Sequence, residues 1–297
     1  MNRYEELKMA SLQDGWVLLI GYMIKQLMDE GGFEGEVAAR EAIRRFGVDR
    51  GLTNRKRLEE NNVKVNLATL FCEGRDRPGE PRFIEVHTYE EEEDFAIFTH
   101  ICSMADVWKE HGLKPYGRIY CEEFHIANYE AFSYGYAKIN LARSLTQDGD
   151  DRCVFNHTFR PENMPPELRK KCFAKCDPGY VPPKETWPKP QGKKGFDMLW
   201  IKTYYYLLEC AVEQFGELGK VMVGNGLRTI ASKRGKALVA LAESTDRTID
   251  QQFLEDHVSI FLDFESNPLW EQYGKYDSLN LVKQHFYLPL LKEVGLA

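Results

Sequence analysis

The sequence predicts an α+β fold, a central antiparallel sheet with helices packed on it and helix-rich N- and C-terminal parts. Three observations carry that reading. Apolar residues recur at helical spacing near both ends, strand-like alternation is confined to the middle, and a Gly-Asp turn in the middle has hairpin composition. At 297 residues and 43% hydrophobic content, the chain can bury one large core or two modest ones. The expected organisation is an α+β domain over 1–160, a proline-rich strap over 161–192 and a mainly helical part over 193–297 packed on the first.

At the N-terminus, Leu12, Trp16, Leu19, Met23 and Leu27 repeat at helical spacing and predict a helix ended by Gly31-Gly32. A second helix is expected from Glu34 to Phe46, stopped at Gly47, followed by a charged, helix-prone segment to Asn62. The short apolar runs 66–71 and 82–88, bracketed by Gly and Pro, predict strands. The acidic run Glu90 to Asp94 reads as a solvated helix start, because negative charge favours a helix N-terminus. Phe95 or Phe98, Ile101, Ala105 and Trp108 then mark a helix closed by Gly112 and Pro115, carrying His100 and Cys102.

Residues 118–159 concentrate the reactive side chains. A strand is expected over 116–121, a helical turn from Glu122 to Phe132, a strand from Ser133 to Arg143, a turn at Asp148-Gly149-Asp150 and a strand from Arg152 to Phe159. Alternation on that last strand puts Cys153, Phe155, His157 and Phe159 on one face. Eight of the thirteen prolines then fall between Pro161 and Pro190, which predicts the strap; Cys172 and Cys176 sit in it as an expected pair of exposed thiols. Phe196 to Gly216 and Leu227 to Ala242 read as helices, Val258 to Phe264 as a strand, and Leu279 to Val294 as a helix broken at Pro289. Cys210 falls on the apolar stripe of its helix. The run Ala211 to Gly216 echoes Ala42 to Gly47, hinting at a duplicated helical element.

Charge and cysteine usage exclude some classes of function. A formal net charge of -7 without a concentrated basic stripe argues against nucleic acid as a partner. The apolar stretch Trp16 to Met28 is interrupted by Lys25 and too short to span a bilayer, and no secretory-signal pattern opens the chain, so a cytoplasmic protein without a membrane partner is expected. Seven scattered cysteines fit reduced thiols. The remaining partner is a small-molecule substrate, with room for a homo-oligomer. The sequence indicates no particular cofactor and no metal set, since Cys172-x3-Cys176 fits half a zinc site without a second pair at finger-like distance, and no two of His100, Cys102, Cys121, His125, Cys153 and His157 have a signature spacing.

The chemistry is expected around Cys121. A thiol where a strand gives way to a helix has its thiolate stabilised by unpaired N–H groups, and His125, one turn on, can share its proton. Glu122 and Glu123 oppose that thiolate unless turned to a cation. The other reading, which describes most cysteines, makes Cys121 a small buried hydrophobe. Cys153 carries the same two readings, with Asp150 and Asp151 either satisfying the turn or holding a cationic group of a substrate.

Three segments, Ile101-Cys102 to Gly112, Tyr116-Gly-Arg-Ile-Tyr-Cys121 and Gly149-Asp-Asp-Arg-Cys-Val-Phe155, resemble the L-2-amino-thiazoline-4-carboxylic acid hydrolase family. The resemblance covers about residues 83–160, and 34–58 more loosely. It implies hydrolysis of a non-peptide carbon–nitrogen bond in a small ring, with recurring positions at Cys102, Cys121, Asp150, Asp151 and Cys153. The chain departs from the pattern after Cys121, where Glu122, Glu123, Phe124 and His125 stand in place of an expected Asp.

Two functions follow from different classes. The first is a hydrolase of a small cyclic amidine, imide or related heterocycle, with Cys121, His125, Asp151 and Cys153 as catalytic residues and Asp150, Glu122, Tyr134, Tyr136, His157, Cys102 and His100 around the substrate. The second is a non-catalytic binding protein similar to vinyl-reductase-type ligand-binding domains, its pocket lined by Phe132, Tyr134 and Tyr136.

Overall fold

The computed structural model describes residues 3–74, 81–184, 192–261 and 264–297. The fold is α+β, as the sequence predicts: a four-stranded antiparallel sheet packed against a largely helical body. Helix α1 (Arg3–Glu60) is two helices meeting at a kink, where Gly32 takes φ 56°, ψ −134°. That conformation costs glycine little and other residues much, which explains why the first apolar stripe ends there. The expected stop at Gly47 does not occur. Gly47 and Gly51 lie mid-helix because another helix passes close: an added Cβ would stand 2.8 Å from the Phe124 carbonyl oxygen and 2.2 Å from that of Asn128.

The sheet order is β1 (Ile84–Glu90), β2 (Asp94–Ile101), β4 (Cys153–Phe159), β3 (Ala137–Arg143). Between β2 and β3 come α2 (Ser103–Glu110) and α3 (Lys114–Phe132). Two sequence expectations are corrected here. The expected helix from Phe95 to Trp108 is strand β2 followed by α2: Phe95, Ile97 and Thr99 alternate into the core, and pairing to both neighbours overrides the 3–4 spacing of Phe98, Ile101, Ala105 and Trp108. The expected strand over 116–121 is helix, because Pro115 lies in the first turn of α3 instead of closing the helix before it. Gly117 then admits the Trp108 ring, 2.2 Å from where a Cβ would sit. Cys121 is therefore in mid-helix and not at a helix N-terminus.

Smaller corrections have local causes. Residues 66–71 form a helical turn, with the Asn66 side chain accepting from the Thr69 N–H at 3.0 Å as a cap would. Residues 91–93 turn between β1 and β2 instead of starting a helix; Asp94 pairs with Arg160 at 2.7 Å. No strand occupies the described part of 258–264, where Ile260 takes φ 51°; residues 262–263 lie outside the described residues. The hairpin through Asp148-Gly149 forms as expected, with β3 and β4 antiparallel and Gly149 at φ 91°. Cys153, Phe155, His157 and Phe159 share the buried face of β4.

After β4, a 3-10 turn and the short helix α4 (Pro166–Cys172) lead into the proline-rich segment, of which 185–191 lie outside the described residues. Cys172 is buried rather than exposed, packed with Phe159 and Phe173 in the cluster beneath the sheet. The described cysteines are free thiols, and Cys210 is in the core. Helices α5 (Gly192–Phe215) and α6 (Glu217–Ser244) follow, then α7 (Gln251–His257), α8 (Trp270–Tyr273), α9 (Ser278–Val282) and, after one wide turn at 283–287, α10 (Leu288–Glu293).

The echo of Gly47 in Gly216 does not mark equivalent positions, since Gly47 lies inside α1 and Gly216 at a kink. Between α5 and α6, Gly216 repeats the Gly32 kink at φ 59°, ψ −133°. Each kink glycine is followed three residues later by a glycine, Gly35 or Gly219, pressed on the backbone of the preceding helix. The two kinked units pack with kinks adjacent: Gly31 abuts Phe215 and Met222, Gly226 abuts Met23, and Asp49 bonds Lys202 at 2.6 Å. One hydrophobic core, from Leu12 to Leu290, runs through both units.

Candidate active site

Where the helical body meets the sheet lies a cavity of about 120 Å³. Its roof is α3, through Tyr120, Cys121, Phe124, His125, Asn128 and Tyr129; Arg50 and Asn54 of α1 form one wall. The sheet supplies the floor. Register places Glu85 opposite Thr99 and Thr99 opposite Cys153, so a carboxylate, a hydroxyl and a thiol form one row across three strands, and all three line the cavity. Phe155 follows in the next row, its ring 4.7 Å from that of His125.

Three thiols, Cys102, Cys121 and Cys153, meet at this cavity. Burial is the main cause raising the pKa of each, and it pushes Cys121 up to about 12, with Cys153 adding to the effect. The loop after β3 supplies donors in opposition. The Leu145 N–H donates to Cys153 Sγ at 3.3 Å, and the Ser144 and Thr146 hydroxyls, 2.7 Å apart, oppose the rise at Cys121. Asp150 shapes that loop by accepting from the Ser144 N–H at 2.9 Å. His125, half-buried among Tyr120, Phe124, Tyr129 and Phe155, has Nδ1 3.5 Å from the Tyr129 hydroxyl.

Other residues singled out in the sequence lie elsewhere. Asp151 is exposed and pairs with Arg143 at 3.4 Å. Glu122 faces Arg40 and Arg118, and Glu123 faces Arg40 and Arg44, so neither carboxylate is turned to His125. Tyr134 donates to Glu59 at 2.6 Å beneath Arg55, Tyr136 and Phe132 pack in the cluster under the sheet, and His100 is exposed on β2. His157 is buried one row beyond the cavity, its Nδ1 3.0 Å from the Phe95 carbonyl oxygen and its ring against Phe71 and Tyr129. Among the described residues no group of three or more His, Cys, Asp or Glu side chains has the arrangement to hold a metal ion.

Sequence reasoning missed Arg50, Glu85, Thr99 and Tyr120. Glu85 was findable on an alternating strand as a carboxylate sharing a face with His87. Arg50 carried no local signal, because only the close helix crossing turns it inward.

Residues 17–157 match the model of the L-2-amino-thiazoline-4-carboxylic acid hydrolase family. No curated protein and no solved structure matches the chain significantly. The matched stretch runs from α1 to β4 and contains every cavity-lining residue except Gln13, Trp16, Phe196 and Leu199.

Proposed function

We propose, from the premise that residues 17–157 belong to the L-2-amino-thiazoline-4-carboxylic acid hydrolase family, that this chain opens a small cyclic amidine by hydrolysis within the cavity under α3. The family implies a hydrolase acting on a non-peptide carbon–nitrogen bond. The observation that carries the finer reading is convergence: two neighbouring thiols and an imidazole line one cavity of about 120 Å³, a size that suits a small ring.

Cys153 is the better nucleophile of the two. Its sulfur accepts the Leu145 N–H, whereas Cys121 stands in mid-helix with its pKa pushed up to about 12. In this reading His125 takes the Cys153 proton as Sγ bonds to the amidine carbon. The ring carbon–nitrogen bond then breaks, the leaving nitrogen receives that proton, and water adds to the same carbon. Cleavage of the sulfur–carbon bond returns the thiol. Asp151 is not needed for these steps; its partner is Arg143.

Turnover of the family's thiazoline substrate tests the reading. Cys153→Ser and His125→Asn are each expected to lose roughly 10²–10⁴ in kcat, and Cys121→Ser less than about tenfold. Near-normal turnover in Cys153→Ser would remove covalent catalysis by that thiol and leave water activated by His125 or Glu85. Tight binding by the wild type without turnover would favour the binding-protein alternative.

A further inference from the structure

Arg50 is the cation on the cavity wall, and its position is built rather than incidental. It is 8% exposed, and its guanidinium carbon lies 5.3 Å from the centre of the Phe124 ring and 5.9 Å from that of Phe46. Gly47 and Gly51 flank it in sequence, and both are pressed on the backbone of α3. Asn128 of α3 ties the crossing by donating to the Gly47 carbonyl oxygen at 3.3 Å. With the helices this close, Arg50 is held beside the Phe46 and Phe124 rings at the cavity instead of extending to solvent.

The floor carries the opposite charge, since Glu85 lies in the row that ends at Cys153. We infer that Arg50 is the specificity-determining residue that holds a carboxylate of the substrate, while Glu85 faces the cationic amidine and the ring carbon comes to rest at Cys153. This rests on the function proposed above and adds to it which residue reads the acid group. A guanidinium offers N–H donors in a planar fork that matches the two oxygens of a carboxylate. Lysine, a point charge on a flexible stem, would not stack on Phe124 in the same way.

The test uses the intact chain with two probes, 2-amino-thiazoline-4-carboxylate and the same ring without its carboxylate, 2-amino-2-thiazoline. The wild type is expected to favour the acid by on the order of 100-fold in kcat/KM, the size of a charge-assisted pair. Arg50→Gln should lose most of that preference, chiefly through a raised KM for the acid. Arg50→Lys should recover part of the preference. Calorimetric titration of the acid onto each protein reads the same contact without turnover, and should show a similar loss in Arg50→Gln. An Arg50→Gln protein, folded by circular dichroism, that still prefers the acid in turnover and binds it in the titration as tightly as the wild type overturns the assignment. Binding of the acid without turnover in the wild type, lost in Arg50→Gln, would sink the hydrolase reading and leave Arg50 in place; absence of binding to the wild type would overturn both.

Discussion

Burial governs the titration of the side chains that matter most here. Cys153 has its pKa raised by desolvation, so its thiolate fraction grows with pH. The expected kcat/KM therefore climbs from pH 7 to pH 9, while a flat profile over that range would argue against a thiol step. Asp151→Asn removes only an exposed contact with Arg143 and is expected to change kcat less than about twofold, measured beside Cys153→Ser. Outside the cavity lining, His257 is buried with neither ring nitrogen hydrogen-bonded, and burial together with Arg234 lowers its pKa to about 4. The folded protein keeps it neutral while the unfolded chain protonates near 6.5, so its contribution is complete above pH 6.5 and is lost as pH falls toward 4. The loss is on the order of 3 kcal/mol. His257→Leu should flatten the acid limb of Tm against pH between those limits, and an unchanged limb would contradict this.

At the scale of elements, the crossing of α1 over α3 positions the cavity. Gly51→Ala would put a Cβ 2.2 Å from the Asn128 carbonyl oxygen and 2.9 Å from the Phe132 nitrogen, both backbone atoms that cannot swing aside. Urea unfolding should show a loss of roughly 2–3 kcal/mol, in the range of overpacking costs. Unchanged stability would mean that the helices separate freely. What the sequence made legible divides along the same line. The β3–β4 hairpin could be read because its turn residues and its alternation are local, and Cys153, Phe155, His157 and Phe159 came out on the buried face. The segment 116–121 could not be read, because a short apolar run suits strand and helix alike. Its state is decided by Pro115 in the first turn of α3 and by Trp108 docking on Gly117. For the same reason Cys121 and His125 were found as residues, but the argument from a helix N-terminus failed. Glu85 joined Cys153 only through the pairing of β1 with β2 and of β2 with β4, which no single stretch encodes.

Across the whole molecule, two glycine-kinked helical units clasp each other and hold the sheet against α3, with the cavity at the seam. Among the described residues no helix is long and apolar enough to cross a membrane. The family match ends with β4, yet Phe196 and Leu199 of α5 line the cavity, and the first half of α1 is buried against α5 and α6. Residues 1–160 expressed alone should therefore lack a cooperative thermal transition. A sharp transition in that fragment would make the C-terminal helices a separate domain. The most direct measurement concerns the thiol itself: acid quench during steady-state turnover of the thiazoline substrate, followed by peptide mass mapping. A substrate-derived mass on the peptide containing Cys153, absent in Cys153→Ser, is the expected result. The same mass on Cys121 instead, or undiminished turnover with Cys153 unmodified and replaceable, would contradict catalysis by the Cys153 thiol in this cavity.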